Sequence, residues 1–333
     1  MGAKLRVLVV DDSSICRVAL KTQLEAEGDI EVVGEGEDAF SALELVQKLK
    51  PDFITMDVQM PGKSGLEAVE QIMHVQPTPI LVVTAESLSD EAGVAFRAIE
   101  NGALDIVPKP SMTDDDAATQ LRALVRQLVT VPVFQRFEGA RAPSTSPAAS
   151  GEALELVVIG AGAGGMGSVL GLASRLPPKL RCPILLYQPV APELTGSYAK
   201  YLASTSKHRV AVAAPPEHPL VSGEIALVPG LRSTFMNKSI LRVERRSPSL
   251  EALLRSAGEV YGVRAAGILL GGEGEEALVG LGAMRDAGAT TIVEMPRSGP
   301  TDAATSAVAR GIAERACRID EIAEYLLLVA GGV

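Results

Sequence analysis

Asp11 and Asp12 follow the apolar run Leu5–Val10, Asp57 follows Phe53–Met56, Thr84 follows Ile80–Val83 and Lys109 follows Ile106–Val107. Short apolar runs at such spacing read as strands of an open parallel sheet, whose carboxyl ends share one edge. The polar side chains that close those runs therefore converge. Three carboxylates beside a single ammonium group crowd negative charge together, and each raises the cost of ionising the others. A hard divalent cation relieves this, because Mg2+ takes carboxylate oxygens along with phosphate oxygens and keeps several waters. Asp57 is thus expected to accept a phosphoryl group. Phosphorylation adds close to two negative charges and three strong acceptors, enough to draw a loop carrying Thr84 inward and bias a two-state element. The plain alternative, unrelated solubilising residues at strand ends, requires the same coincidence at every run.

These residues need a frame. Residues 1 to 125 alternate short apolar runs with amphipathic stretches, a repeated βα pattern. Ser13-Ser14 and Gly102 mark helix boundaries, and Ala117–Val129 has the leucine spacing of a closing helix. Residues 126–153 comprise that helix end and a linker: Gly139–Ala153 is small, polar and proline-bearing, without apolar periodicity. From residue 154 to 333 the alternation resumes, with strands expected at Leu154–Ile159, Pro183–Tyr187, Glu224–Val228, Ala266–Leu270 and Thr290–Val293. Helices are expected at Ser249–Val260 and Glu275–Ala287, and the run Tyr325–Ala330 reads as a last core helix. The fold class is α/β: an N-terminal flavodoxin-like (βα)5 domain and a C-terminal Rossmann-like domain with a mainly parallel sheet.

Composition removes several functions. A formal charge of −10 and 3% aromatics argue against nucleic-acid binding. The cluster Arg242-Val243-Glu244-Arg245-Arg246 reads as a solvated strand end. No apolar run approaches the ~18 residues of a membrane span, and the N-terminus does not read as a signal peptide. Cys16, Cys182 and Cys317 lack metal-ligand spacing and are expected to be buried apolar thiols. These features point to the cytoplasm.

The segments VLVVDDS, ITMDVQMPGKSGLE, ILVVTA and GALDIVPKP resemble the receiver domain of two-component response regulators. The resemblance implies that Asp57 takes phosphate from a histidine kinase. It implies that Asp12 and Asp57 bind Mg2+ directly with the Gln59 carbonyl, and that Asp11 acts through water. Thr84 would hydrogen-bond the phosphoryl oxygens and Lys109 would pair with their charge. Lys109-Pro110 is expected to be a cis bond. One position departs: where the family carries an aromatic three residues before the lysine, this chain has Ile106. Either the switch couples differently, or isoleucine packs in the same slot.

The segments VVIGAGAGG, YQPVAPELTGSYA, GEIALVPG, PSLEALLRSA, GILLGGEGEEALVGLGAMR and GATTIVE resemble, in order, the catalytic domain of the chemotaxis protein-glutamate methylesterase (CheB) family. That family attacks its ester with serine from an I-G-A-S-T-G-G turn, takes the proton on histidine from Q-H-M-P, and orients the imidazole with aspartate from T-G-M-G-x-D-G. Here Gly162 and Ala163 stand at the serine and threonine positions, Pro189 at the histidine, Glu276 at the aspartate and Glu273 at the methionine. Glycine offers no nucleophile and proline no base. His208 and His218 read as surface loop residues, and Ser168, one helical turn past the elbow, as facing elsewhere. Glu273, Glu275 and Glu276 suit a helix N-terminus for dipole reasons alone. Gly160–Gly165 also fits G-x-G-x-x-G, but the acidic residue that would take a ribose hydroxyl is missing, and close strand–helix packing explains the same glycines.

The resemblance therefore implies a response regulator with a degenerate methylesterase triad. Phosphorylation of Asp57 would rearrange the docking of the two domains and expose a surface for a protein partner. A chemotaxis-type histidine kinase is the expected donor, and a chemoreceptor or another signalling protein the expected partner. Two alternatives stand beside this reading: an active esterase with displaced residues such as Ser168 or His208, and a nucleotide sensor.

Overall fold

A computed structural model describes residues 4–60, 65–84, 92–111, 114–133, 153–177, 179–230, 232–244, 247, 249–271, 274–295 and 302–331. The chain divides into two compact units, Met1–Ala140 and Arg141–Val333.

In the first unit, β1 (Leu5–Val10), α1 (Ser14–Glu25), β2 (Ile30–Gly36), α2 (Ala39–Leu49), β3 (Phe53–Met56), α3 (Gly65–Val75), β4 (Ile80–Thr84), α4 (Ala92–Glu100), β5 (Asp105–Pro108) and α5 (Asp115–Leu128) alternate strictly. The sheet order is β2-β1-β3-β4-β5 with every pairing parallel. This is the doubly wound pattern in which the strand order reverses beside β1, creating a crevice outside the carboxyl ends of β1 and β3. Val7–Val10, Phe53, Ile54, Met56 and Ile80–Val83 are buried on both faces, as a sheet covered by helices requires. Ser13 caps α1 by accepting from the Cys16 amide, and Asp38 and Ser41 form a capping box on α2. Gly65 has a local reason: a β-carbon there would fall 2.3 Å from the Asp57 carbonyl oxygen, so only glycine lets α3 begin against the end of β3.

The second unit begins with β6 (Leu156–Ala161), α6 (Met166–Ala173), β7 (Ile184–Tyr187), α7 (Pro192–Ser206), β8 (Arg209–Val212), β9 (Glu217–Pro219) and β10 (Glu224–Val228). It continues with β11 (Arg232–Asn237), β12 (Ile240–Glu244), α8 (Leu250–Tyr261), β13 (Ala265–Leu270), α9 (Glu275–Asp286), β14 (Thr290–Glu294), α10 (Asp302–Ala309), β15 (Arg315–Cys317) and α11 (Ile319–Val329). A seven-stranded sheet runs β15-β14-β13-β6-β7-β10-β8, all parallel. An antiparallel β11-β12-β9 sheet packs beside it through Phe235, Leu241 and Val243, which join the core of Leu156, Val158, Leu253, Leu254 and Tyr261. The five strands expected here are β6, β7, β10, β13 and β14. The short β8, β9, β11, β12 and β15 carry too little apolar alternation to be read from sequence. The closing helix is only half core: Tyr325, Leu326 and Val329 are buried while Leu327 and Leu328 face outward. No helix among the described residues is long and apolar enough to cross a membrane.

Three expectations are corrected. Lys109–Pro110 is not cis; among the described residues the cis bond is Pro215–Pro216. Cys16 is only half-buried, because the first turn of α1 is open to one side, whereas Cys182 and Cys317 are buried, with burial pushing both thiols up to about 11. His218 is no surface loop residue. It sits in β9 opposite Leu241 and is buried, the neighbouring prolines having masked a short strand. The proposed linker falls largely outside the described residues, as does Glu273.

Candidate functional site

The first-unit residues meet as their spacing predicts. Asp11 and Asp12 close β1, Asp57 closes β3, Thr84 ends β4 and Lys109 follows β5. Lys109 Nζ lies 2.7 Å from Asp11 Oδ2 and 2.6 Å from Asp57 Oδ2. Backbone amides fix the other oxygens: Ser13 N–H donates to Asp11 Oδ1 at 2.9 Å, and Gln59 N–H to Asp57 Oδ1 at 2.8 Å. The Lys109 amide donates to the Thr84 carbonyl at 2.7 Å, holding hydroxyl and ammonium strands in register. Asp11 and Asp57 are buried and Asp12 is exposed, so the cluster opens to solvent on the Asp12 side.

Burial pushes the Asp11 carboxyl above the usual range, and the Asp57 charge adds to the rise, while hydrogen bonds from Lys109 and Ser13 oppose it. Burial pulls Lys109 down, but its bonds to Asp11 and Asp57 outweigh that and hold it firmly charged. One ammonium group thus serves two buried carboxylates, with a third beside them. Carboxylate oxygens of Asp11, Asp12 and Asp57 lie within 4.8 Å of one another, a donor set of hard oxygens that suits Mg2+. Thr84 Oγ1 is fully buried without a hydrogen-bond partner among the described residues, an orphan that a phosphoryl oxygen would satisfy.

Sequence reasoning missed Arg17. Its Nη1 donates to the carbonyls of Asp11 at 2.7 Å and Asp12 at 3.3 Å, and its Nε lies 3.4 Å from Glu35 Oε2. It pins the backbone of both acidic residues from one turn into α1. Ile106 is buried in β5 and packs as a core residue.

In the second unit Gly162, Pro189 and Glu276 follow β6, β7 and β13, three neighbouring parallel strands, so they share one carboxyl edge. Gln188, just before Pro189, is buried and accepts from the Tyr198 hydroxyl at 2.6 Å. Glu276 is exposed and accepts from Ser249 Oγ at 3.0 Å, while Glu275 pairs with Arg310. Neither imidazole of this unit reaches the edge. His208 precedes β8 at the opposite, amino edge, where its Nε2 meets the Pro177 carbonyl at 2.8 Å. His218 lies in the antiparallel sheet, its imidazole near Glu224 at the amino end of β10.

Gly160 and Gly271, at the strand ends beside the glycine-rich turn, have packing reasons. A β-carbon on Gly160 would come 2.6 Å from Leu250 Cδ2, and one on Gly271 would come 2.3 Å from the Gly165 Cα.

Ser168 does not face away from the edge as expected. It lies in the first turn of α6, whose residues turn their side chains back toward the helix start, and its Oγ donates to Glu294 Oε1 at 2.7 Å. The Gly271 amide donates to Glu294 Oε2 at 2.8 Å. Burial pushes the Glu294 carboxyl above the usual range, against those two bonds. Glu294 was legible by the rule that found Asp57, a carboxylate ending an apolar run.

Residues 157–326 match the CheB methylesterase family model, about half of the chain. The chain belongs to the CheB methylesterase family. Residues 7–121 match the response regulator receiver domain. The CheB kinship extends over the full length: a protein-glutamate methylesterase/protein-glutamine glutaminase of Anaeromyxobacter dehalogenans is 35% identical, with 97% of this chain and 96% of that protein covered. One of Pyrococcus horikoshii is 32% identical over 88% of this chain and 84% of its own. Among solved structures, the response regulator domain of Thermotoga maritima CheB is 38% identical, covers 39% of this chain and 98% of its own, with a TM-score of 0.36. The Thermotoga maritima CheB catalytic domain is 24% identical, covering 53% and 99%, with a TM-score of 0.47.

Proposed function

We propose that this CheB-family chain is a response regulator phosphorylated on Asp57 by a chemotaxis-type histidine kinase, and that its effector half acts by binding protein instead of by the family's triad. In the receiver, Asp12, Asp57 and the Gln59 carbonyl would hold Mg2+, with Asp11 acting through water. The ion would shield the phosphoryl oxygens, while Thr84 and Lys109 would meet the new charge. The observation that supports the effector reading is that Gly162 and Pro189 follow the neighbouring strands β6 and β7, at the positions the family resemblance assigns to nucleophile and base. A triad works as a unit, and losing nucleophile and base together removes roughly 10⁶ in rate. What remains is a family crevice that would engage the glutamyl- or glutaminyl-bearing segment of a receptor.

The rival reading, hydrolysis of receptor glutamyl methyl esters by displaced residues, has the Ser168–Glu294 bond on its side. No imidazole of this unit stands at that edge, and a carboxylate is a weak base for an alcohol. Methanol release from methylated receptor membranes, with full-length protein, Mg2+ and a small phosphodonor, separates the two. We expect phosphate on Asp57 and no methanol above background. Methanol release refutes the binding reading, and failure of Asp57 to take phosphate refutes the receiver reading.

A further inference from the structure

Glu294, Ser168 and Gly271 join three chain segments at the carboxyl edge of the effector sheet. Glu294 is the last residue of β14, Gly271 follows β13, and Ser168 opens α6 after β6. The strand order reverses between β6 and β13, and ligands of open parallel sheets bind in the crevice at such a reversal. The carboxylate is therefore placed where the proposed partner segment would insert a side chain.

We propose that Glu294, held by Ser168 and Gly271, is the specificity-determining residue of the effector crevice, selecting a side chain that donates N–H, a primary carboxamide, over a carboxylate or an ester. This rests on the binding reading above. The argument is one of acceptor capacity. An ionised carboxylate offers about four lone-pair sites. Ser168 Oγ–H fills one on Oε1 and the Gly271 amide one on Oε2, so each oxygen keeps an acceptor position. Both bonds come from neutral donors, and among the described residues no cation pairs with the group. Glu294 and Ser168 are half-buried, so neither is sealed from solvent. A partly desolvated acceptor with no partner costs free energy, and a ligand N–H removes that cost. A glutaminyl side chain supplies such a donor. A glutamyl methyl ester supplies none, and a glutamate brings a second negative charge against the first where water is partly excluded. Burial already raises the Glu294 carboxyl, so the preference is expected to fade on acidification before an ordinary carboxylate would titrate.

The test uses full-length protein phosphorylated with a small phosphodonor, and three receptor-helix peptides that differ only in one central side chain: glutamine, glutamate methyl ester and glutamate. Calorimetric titration is expected to give the glutamine peptide about tenfold tighter binding than the ester, with glutamate weakest. Glu294→Gln keeps the shape and an acceptor for Gly271, and is expected to bring all three within about twofold of one another. Ser168→Ala keeps the charge and is expected to keep the order, and a thermal melt of each variant verifies folding. If the peptides bind in any other order, or the order survives Glu294→Gln, the inference is overturned while the binding reading stands. If no peptide binds the phosphorylated protein, the binding reading itself fails, and the inference with it.

Discussion

Replacing Lys109 with methionine is expected to lower the stability of the receiver unit in a way that Mg2+ repairs. Lys109 Nζ sits 2.6 Å from Asp57 Oδ2 and 2.7 Å from Asp11 Oδ2, and those carboxylate side chains are 3% and 1% exposed. Methionine keeps the packing volume but leaves two buried carboxylates facing each other without a cation. Breaking a fully buried pair costs about 3–5 kcal/mol. The lysine side chain is 21% exposed, so solvent screening puts this loss near the lower bound, about 3 kcal/mol. For a unit of this size that corresponds to a melting transition roughly 10 °C lower in chelator. Mg2+ at about a hundredfold its Kd contributes about 2.7 kcal/mol, and more in the variant, where no ammonium group competes for the same oxygens. The gap is therefore expected to narrow in Mg2+. Asp57→Asn carries the opposite sign: it removes one of the carboxylates sharing Lys109, so it is expected to melt at or above the parent in chelator and respond weakly to Mg2+. Scanning calorimetry reads the receiver transition. All five tyrosines lie in the second unit, so tyrosine fluorescence identifies the effector transition independently. Superimposable melts of Lys109→Met and parent in chelator, or a gap that Mg2+ leaves unchanged, would refute the charge argument.

Two further predictions concern the effector unit. Burial lowers the His218 pKa, with the Glu224 charge opposing it; a depressed histidine contributes stability above its unfolded pKa of about 6.5 that is lost as pH falls through the folded value. The tyrosine-reported melt is thus expected to drop between about pH 7.5 and about pH 5.5, and His218→Gln to shrink the drop; an unchanged difference would count against the assignment. Gly271 has φ +78 and an added β-carbon would sit 2.3 Å from the Gly165 Cα, so Gly271→Ala is expected to cost roughly 3 kcal/mol in urea unfolding from backbone strain and overlap together. Gly274→Ala, which meets nothing within 4 Å, is expected to stay within about 0.5 kcal/mol of the parent.

The receiver site was legible because each of its residues ends an apolar run, and in a parallel sheet run ends are neighbours whatever their separation in sequence. Gly162, Pro189 and Glu276 were legible only through the family resemblance, and the structure sets them along one edge. Glu294 closes the run Thr290–Val293 and falls under the same strand-end rule. Arg17 was out of reach for a physical cause: its partners are the carbonyls of Asp11 and Asp12, and backbone acceptors leave no mark in a side-chain pattern. His218 was misread because its strand is three residues long and, among the described residues, pairs only with β12. Proline-flanked short strands lack the alternation that identifies longer ones.

The glycines of the second unit show what its sequence preserves. Gly160 lets Leu250 and Leu269 pack on β6, and Gly271 lets the turn after β13 lie against Gly165, so the strand ends stay in close approach. That scaffold is costly to alter, whereas the residues that follow the strands are free to vary: Gly162 and Pro189 come after β6 and β7 have ended. Fold and chemistry are separable on such a frame. In the receiver the strand-end residues form an interdependent charge cluster, Lys109 serving Asp11 and Asp57 together, so losing the lysine strands both carboxylates. In the effector, Glu276 accepts from Ser249 and Glu294 from Ser168 and Gly271, each without an imidazole beside it. The receiver's polar groups are tied to one another through one ammonium group, while those along the effector edge are held by separate local bonds.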